Sequence, residues 1–118
     1  MNVIAITGNL CKDLELKYTN NNKAVLQNTV GVAKEKKNKE TGEKESDFID
    51  FVAFEKKAEY LNNFAKKGDK VEVTGKLRVD NWRDENGNYK QRIYVVADTV
   101  KILTSRPKEP AKEMEMPF

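Results

Sequence analysis

The amino-acid sequence predicts an all-β fold, a small curled β-barrel with one helix set among its strands. Three observations carry this. Apolar and polar residues alternate with a period of two over most of the chain, the pattern of half-buried strands. One stretch, Glu55 to Lys67, instead spaces its apolar residues as a helix does. Turn clusters (Asn20-Asn21-Asn22, Thr41-Gly42 and Asn86-Gly87) punctuate the alternating runs.

The elements follow in order. Val3-Ile4-Ala5-Ile6-Thr7-Gly8 reads as a first strand, and Leu14 to Tyr18 alternates as a short second segment. Val25 to Ala33 is a third stretch, with Leu26, Val30 and Val32 on one face and Gln27 and Thr29 on the other; Gly31 within it suggests a bulge or bend. Residues 34–45 (KEKKNKETGEKE) hold five Lys, four Glu and no apolar side chain, so they read as a long charged hairpin loop. Asp47 to Phe54 (DFIDFVAF) is a strand with three Phe and a wet position at Asp50. In the helix, Ala58, Leu61, Phe64 and Ala65 form the apolar stripe, Tyr60 and Phe64 lie four apart as core candidates, Lys66 and Lys67 suit the C-terminal dipole, and Gly68 is the stop. Lys70 to Val79 places Val71, Val73, Gly75, Leu77 and Val79 on one face and continues through Trp82. Tyr89 to Val96 and Asp98 to Leu103 complete the β region, and Pro107 and Pro110 then break the chain.

One helix inserted between the third and fourth main strands of a curled antiparallel set matches an OB-fold, a five-stranded Greek-key barrel, here with a long β-hairpin loop. An SH3-like barrel is the nearest rival, but it normally lacks such a helix. A length of 118 residues suits one domain of about 100–150 residues. We assign residues 1–105 to that domain and 106–118 to a short, disordered, acidic C-terminal tail.

Composition narrows the chemistry. Charged residues are 35% of the chain and hydrophobic ones 38%, so apolar side chains must serve a small core or a shared interface. The chain has no His and one Cys, Cys11, which removes disulfides, the usual zinc sites and His-based acid–base catalysis. Its six Gly are scattered rather than gathered into a phosphate loop, so no cofactor or metal and no enzyme activity is expected. No apolar run approaches the ~20 residues of a membrane span, and the N-terminus lacks a basic leader. The expected location is cytoplasmic. Net charge is +3, and residues 107–118 carry −1, leaving a mildly basic body. That balance permits nucleic-acid binding without demanding it.

Holding a single strand without reading sequence requires cations along the phosphates and exposed rings for the bases. Trp82 leads the candidates, beside the hairpin turn and flanked by Arg78, Arg83, Lys90 and Arg92; the alternative is a Trp capping the barrel end. Phe48 and Phe54 share one face of their strand and Phe51 takes the other, with the inward set open. Tyr89 and Tyr94 fall on opposite faces, so at most one joins Trp82. Lys34, Lys36, Lys37 and Lys39 make a basic finger partly neutralised by Glu35 and Glu40.

These residues also form a pattern. Val3 to Leu10 with Asp13 and Tyr18, Thr41-Gly42-Glu43, Phe51 to Glu59, Lys67-Gly68-Asp69-Lys70-Val71, Gly75-Lys76-Leu77-Arg78 with Trp82, and a terminal Met116-Pro117-Phe118 resemble, in order, the bacterial and phage single-stranded DNA-binding proteins. Compact length and a short tail lean toward a phage-encoded member. The resemblance implies a homo-oligomer, usually a tetramer and alternatively a dimer, that coats single-stranded DNA in replication, recombination and repair. It implies a cytoplasmic, nucleoid-associated protein of a bacterial cell or phage-infected host. By position it makes Phe48, Phe54 and Trp82 stacking sites. It makes Lys39, Lys56, Lys67 and Arg78 phosphate contacts, which Lys34 and Lys36 of the finger join. The tail residues Glu113, Glu115, Pro117 and Phe118 would recruit replication and recombination proteins. Departures are Lys36, where many bacterial members carry a further stacking Trp, and Asp50, Asp80 and Asn81, where they are often basic. One platform fewer implies weaker, more salt-sensitive binding. Two rival readings are an interaction adaptor acting mainly through its tail, and an RNA-binding OB or cold-shock-like protein.

Overall fold

The computed structural model describes residues 1–37 and 39–104, with the side chains of Lys36, Lys37 and Lys44 outside that description. The strands are β1 (Ile4–Leu10), β2 (Leu16–Tyr18), β3 (Ala24–Lys37), β4 (Lys44–Phe54), β5 (Lys70–Arg83) and β6 (Tyr89–Ile102); the helix α1 (Lys56–Phe64) lies between β4 and β5. They hydrogen-bond in the order β1-β5-β6-β4-β3-β2, and β1 also pairs with β3. Five strands therefore close a barrel, and the three-residue β2 lies alongside the start of β3. All neighbours are antiparallel except β4 and β6, which run parallel through Phe51–Val95 and Val52–Val96. This is the OB topology expected from the order of elements.

The core is built by the inward residues of each strand and one face of α1. Leu10, Leu26, Val30, Phe51, Leu61, Val71, Val73 and Val95 are its largest fully buried side chains. Each is worth about 1.5–3 kcal/mol against exposure. Closure is tight where β1 meets β3: a Cβ on Gly8 would stand 2.2 Å from the Gly31 carbonyl oxygen. Gly31, expected at a bend, is regularly paired with Asn9 and Phe48, and it is the bare backbone of Gly8 that lets the strands approach.

Several expectations change. The charged stretch 34–45 is strand at both ends rather than loop throughout: β3 runs to Lys37 and β4 starts at Lys44, because backbone pairing sustains the ribbon without apolar side chains, and residues 39–43 lie outside the strands. Tyr89 to Ile102 is one strand rather than two; its break near Asp98 is a bulge, where Thr74 pairs with Thr99 and Gly75 with Ala97. The helix is shorter than 55–67. It ends at Phe64 because Ala65 turns extended and the Asp69 carboxylate accepts the Lys66 N–H at 2.8 Å. Lys66 and Lys67 thus lie beyond the last helical turn. Phe64 is not in the core: Ala58, Leu61 and Ala65 are buried, while Phe64 is exposed and packs on Tyr60 at a 5.8 Å ring separation. Leu77 and Val79, which alternation places on one face with Val71 and Val73, do not share their burial: they are exposed because β5 and β6 run on past the barrel as a two-stranded ribbon.

Candidate nucleic-acid interface

Period two sorts β4 into two faces. Phe51, 1% exposed, points into the barrel, while Phe48 at 70% and Phe54 at 37% point out, with Asp50 and Val52 between them. Immediately after Phe54, Glu55 adopts a left-handed backbone (φ 56°) and donates its N–H to the Ala24 carbonyl at 2.7 Å, which turns the strand into α1. Lys56 emerges there, and Phe54, Lys56 and Tyr18 line one shallow groove.

The β5–β6 ribbon continues this face. Its register sets Arg78 opposite Tyr94, Asp80 opposite Arg92 and Trp82 opposite Lys90. Directly opposed residues share a face, so Tyr94 joins Trp82, and Tyr89 takes the other side with the Arg83 guanidinium 6.0 Å from its ring. Trp82 is 48% exposed near the ribbon tip, so it does not cap the barrel as core. The tip itself is ordered by Asp84, whose Oδ1 accepts the Asn86 and Asn88 N–H groups at 2.9 and 2.8 Å. Tyr94 donates its hydroxyl proton to Asp80 at 2.9 Å and lies under the Arg92 guanidinium at 5.3 Å. Donation to Asp80 favours the neutral phenol and holds Tyr94 above the ordinary tyrosine range.

The cations are distributed less evenly. Arg78 shares the ring-bearing face of the ribbon. Lys34 is exposed but lies 3.4 Å from Glu45 and 3.6 Å from Asp47, so its charge is partly answered. Lys39 is exposed in the turn between β3 and β4. Lys67 is exposed and apart from the rings, in a depression with Lys66, Asp13 and Asn62. The Lys36 side chain and the tail residues Glu113, Glu115, Pro117 and Phe118 lie outside the described residues. Beside β4 opens a second groove of about 350 Å³, lined by Lys12, Lys17, Gln27, Asn28, Asp50 and Arg92, among others. The sequence named Arg92 beside Trp82 and left Tyr89 and Tyr94 as alternatives, and the pairing register decides for Tyr94. Tyr18, which the sequence did not select as a contact, is brought to Phe54 by β2 pairing along the start of β3.

Fold and face together define an OB-type barrel with one outer surface, running from β4 to the ribbon, that carries exposed rings and cations with Asp50 and Asp80 among them. Residues 1–103 match the Single-strand binding protein family, and the chain belongs to that family. Curated relatives include a single-stranded DNA-binding protein of Streptococcus mutans serotype c, 40% identical over 109 residues. That alignment covers 90% of this chain and 64% of the relative. Single-stranded DNA-binding protein 1 of Streptococcus pyogenes serotype M18 is 40% identical, covering 90% of this chain and 81% of the relative. Single-stranded DNA-binding protein 3 of Streptococcus agalactiae serotype V is 41% identical, covering 90% and 76%. The chain thus spans just under two thirds of the length of the Streptococcus mutans protein.

Proposed function

We propose that this protein binds single-stranded DNA without overall sequence specificity, coating and protecting it during replication, recombination and repair. It does so by binding alone, without catalysis. The observation that carries the reading is the outer face itself: Phe48, Phe54 and Trp82 expose their rings, Lys56 lines the groove of Phe54, and Arg78, Lys90 and Arg92 share the Trp82 face of the ribbon. Bases stack on the rings and phosphates meet the cations, so a flexible strand fits where a stiff duplex, with its bases already stacked, does not. Lys34, Lys36 and Lys39 extend the cationic path along the finger, and Lys67 adds a phosphate contact apart from the rings. Like the relatives' names, the match to the family supports the single-stranded substrate.

Two finer features belong to the same reading. The protein self-associates, as a tetramer or dimer, through the far face of the ribbon, where Leu77, Val79 and Ile93 are exposed together. Its tail residues Glu113, Glu115, Pro117 and Phe118 recruit partner proteins in the cytoplasm, the acidic residues meeting a basic rim and the Phe an apolar pocket.

Titrating Trp82 fluorescence with oligo-dT tests the central claim. Strong quenching at low salt, weakening as salt rises, is expected. Absence of quenching at low salt overturns it.

A further inference from the structure

Asp50 stands among the rings and cations of the outer face, where its charge opposes a polyanion. Its surroundings are nonetheless built. The carboxylate is half-buried, and its Oδ1 accepts a hydrogen bond from Thr29 Oγ1 at 2.7 Å. Thr29 is buried, so that donor holds the carboxylate in one orientation. Among the described residues Oδ2 has no hydrogen-bond or ion-pair partner. The carboxylate lines the groove of about 350 Å³ beside β4. One wall of that groove is fixed by buried Asn28, whose Oδ1 accepts the Lys12 N–H at 3.2 Å and whose Nδ2 donates to the Lys12 carbonyl at 3.0 Å. Arg92 lines the groove as well, and Phe48 lies two residues from Asp50 on the same face, about 6.6 Å along the strand.

A strand whose phosphates follow the cations therefore presents a base edge to a fixed carboxylate. A carboxylate accepts hydrogen bonds and donates none. Cytosine N4 and adenine N6 are amino donors; thymine and uracil place a carbonyl oxygen there, which a carboxylate repels. We propose that this groove takes one unstacked base and that Asp50 accepts a hydrogen bond from its exocyclic amino group. The otherwise sequence-tolerant face then favours amino-bearing bases over thymine and uracil at that position. The inference rests on the single-strand reading above and adds a specificity-determining residue to it.

The test compares oligo-dC with oligo-dU of equal length, which differ at the ring 4-position in carrying an amino group or a carbonyl. Competition against a labelled strand is measured for the unaltered protein, for Asp50→Asn and for Asp80→Asn. Asp50→Asn keeps an acceptor for Thr29 but adds a donor and removes the charge. Asp80→Asn removes the same charge from the same face outside the groove. We expect the unaltered protein to prefer oligo-dC roughly five-fold, one ordinary hydrogen bond's worth. Asp50→Asn should bind both more tightly and largely lose the preference, and Asp80→Asn should keep it. An unchanged ratio in Asp50→Asn, or an equal change in Asp80→Asn, overturns the proposal. If the unaltered protein bound neither oligonucleotide at low salt, the single-strand reading itself would fail, which is a different result from binding without preference.

Discussion

Trp82 lies on a ribbon outside the barrel with almost half its surface exposed, so removing its ring subtracts little from the fold. Stacking on an aromatic ring is worth ~1–3 kcal/mol per base. Trp82→Ala is therefore expected to weaken oligo-dT binding at least several-fold, read by anisotropy of a labelled strand. Its stability should stay within about 0.5 kcal/mol of the unaltered protein. A large loss of stability with unchanged binding would make Trp82 a packing residue. Tyr94 makes a second, spectroscopic prediction. The hydrogen bond it donates to Asp80 is available only while the phenol is protonated, and it raises the pKa above the ordinary value of about 10. Because the folded value is the higher one, this contribution to stability is intact below the ordinary value and disappears as pH rises through the folded one. Absorbance titration of Asp80→Asn should move the Tyr94 midpoint back down toward the ordinary value; an unmoved midpoint would assign the shift to another cause.

The short α1 and its exit are held by polar groups more than by helix propensity. After Phe64 the chain is tied back to β1: the Gly68 N–H donates to the Leu10 carbonyl at 2.8 Å, and the Leu10 N–H donates to the Asp69 carbonyl at 2.9 Å. Asp69, itself buried, closes the loop with its carboxylate on the Lys66 N–H. Asp69→Ala removes that acceptor and should cost about 1–3 kcal/mol, seen as a lower urea midpoint at unchanged slope. Asp69→Asn, which keeps an acceptor oxygen, should cost less. The existence of the helix was legible from Ala58, Leu61 and Ala65 at helical spacing. Its end was not, because Gly68 and two lysines also suit a longer helix, and the side chain that stops it acts from beyond the last turn. The finger misled in the opposite sense. Period-two reading follows apolar side chains, and residues 34–45 have none, yet β3 and β4 continue to pair there through their backbones.

The whole molecule has two contrasting outer surfaces. One side of the ribbon carries Arg78, Trp82, Lys90, Arg92 and Tyr94; the other carries Leu77, Val79 and Ile93, with Tyr89 nearer the tip. Placing charge on the apolar side, as Val79→Lys with Ile93→Lys, should lower the mass measured by analytical ultracentrifugation while leaving the far-ultraviolet circular dichroism of the barrel intact. An unchanged mass would put self-association elsewhere. The same double variant adds cations away from the rings, so its gain in strand affinity should be small and should vanish at moderate salt, where the Debye length shortens to about 8 Å.

Alternation with a period of two, one helical stripe and the placing of that stripe between the strands determined the barrel and its topology class by themselves, because each is a local property of the chain. Composition likewise determined the absence of His from any site. Tertiary structure decided which face of each strand points inward. Phe48, Phe51 and Phe54 differ in sequence only by parity, and it is barrel closure that buries Phe51 and turns the other two outward. Closure also decided that Leu77 and Val79 leave the core, since alternation continues along β5 after the barrel wall has ended. The company of Trp82 was decided the same way: strand register, a relation between segments distant in the chain, set Tyr94 and Arg92 beside it and Tyr89 behind.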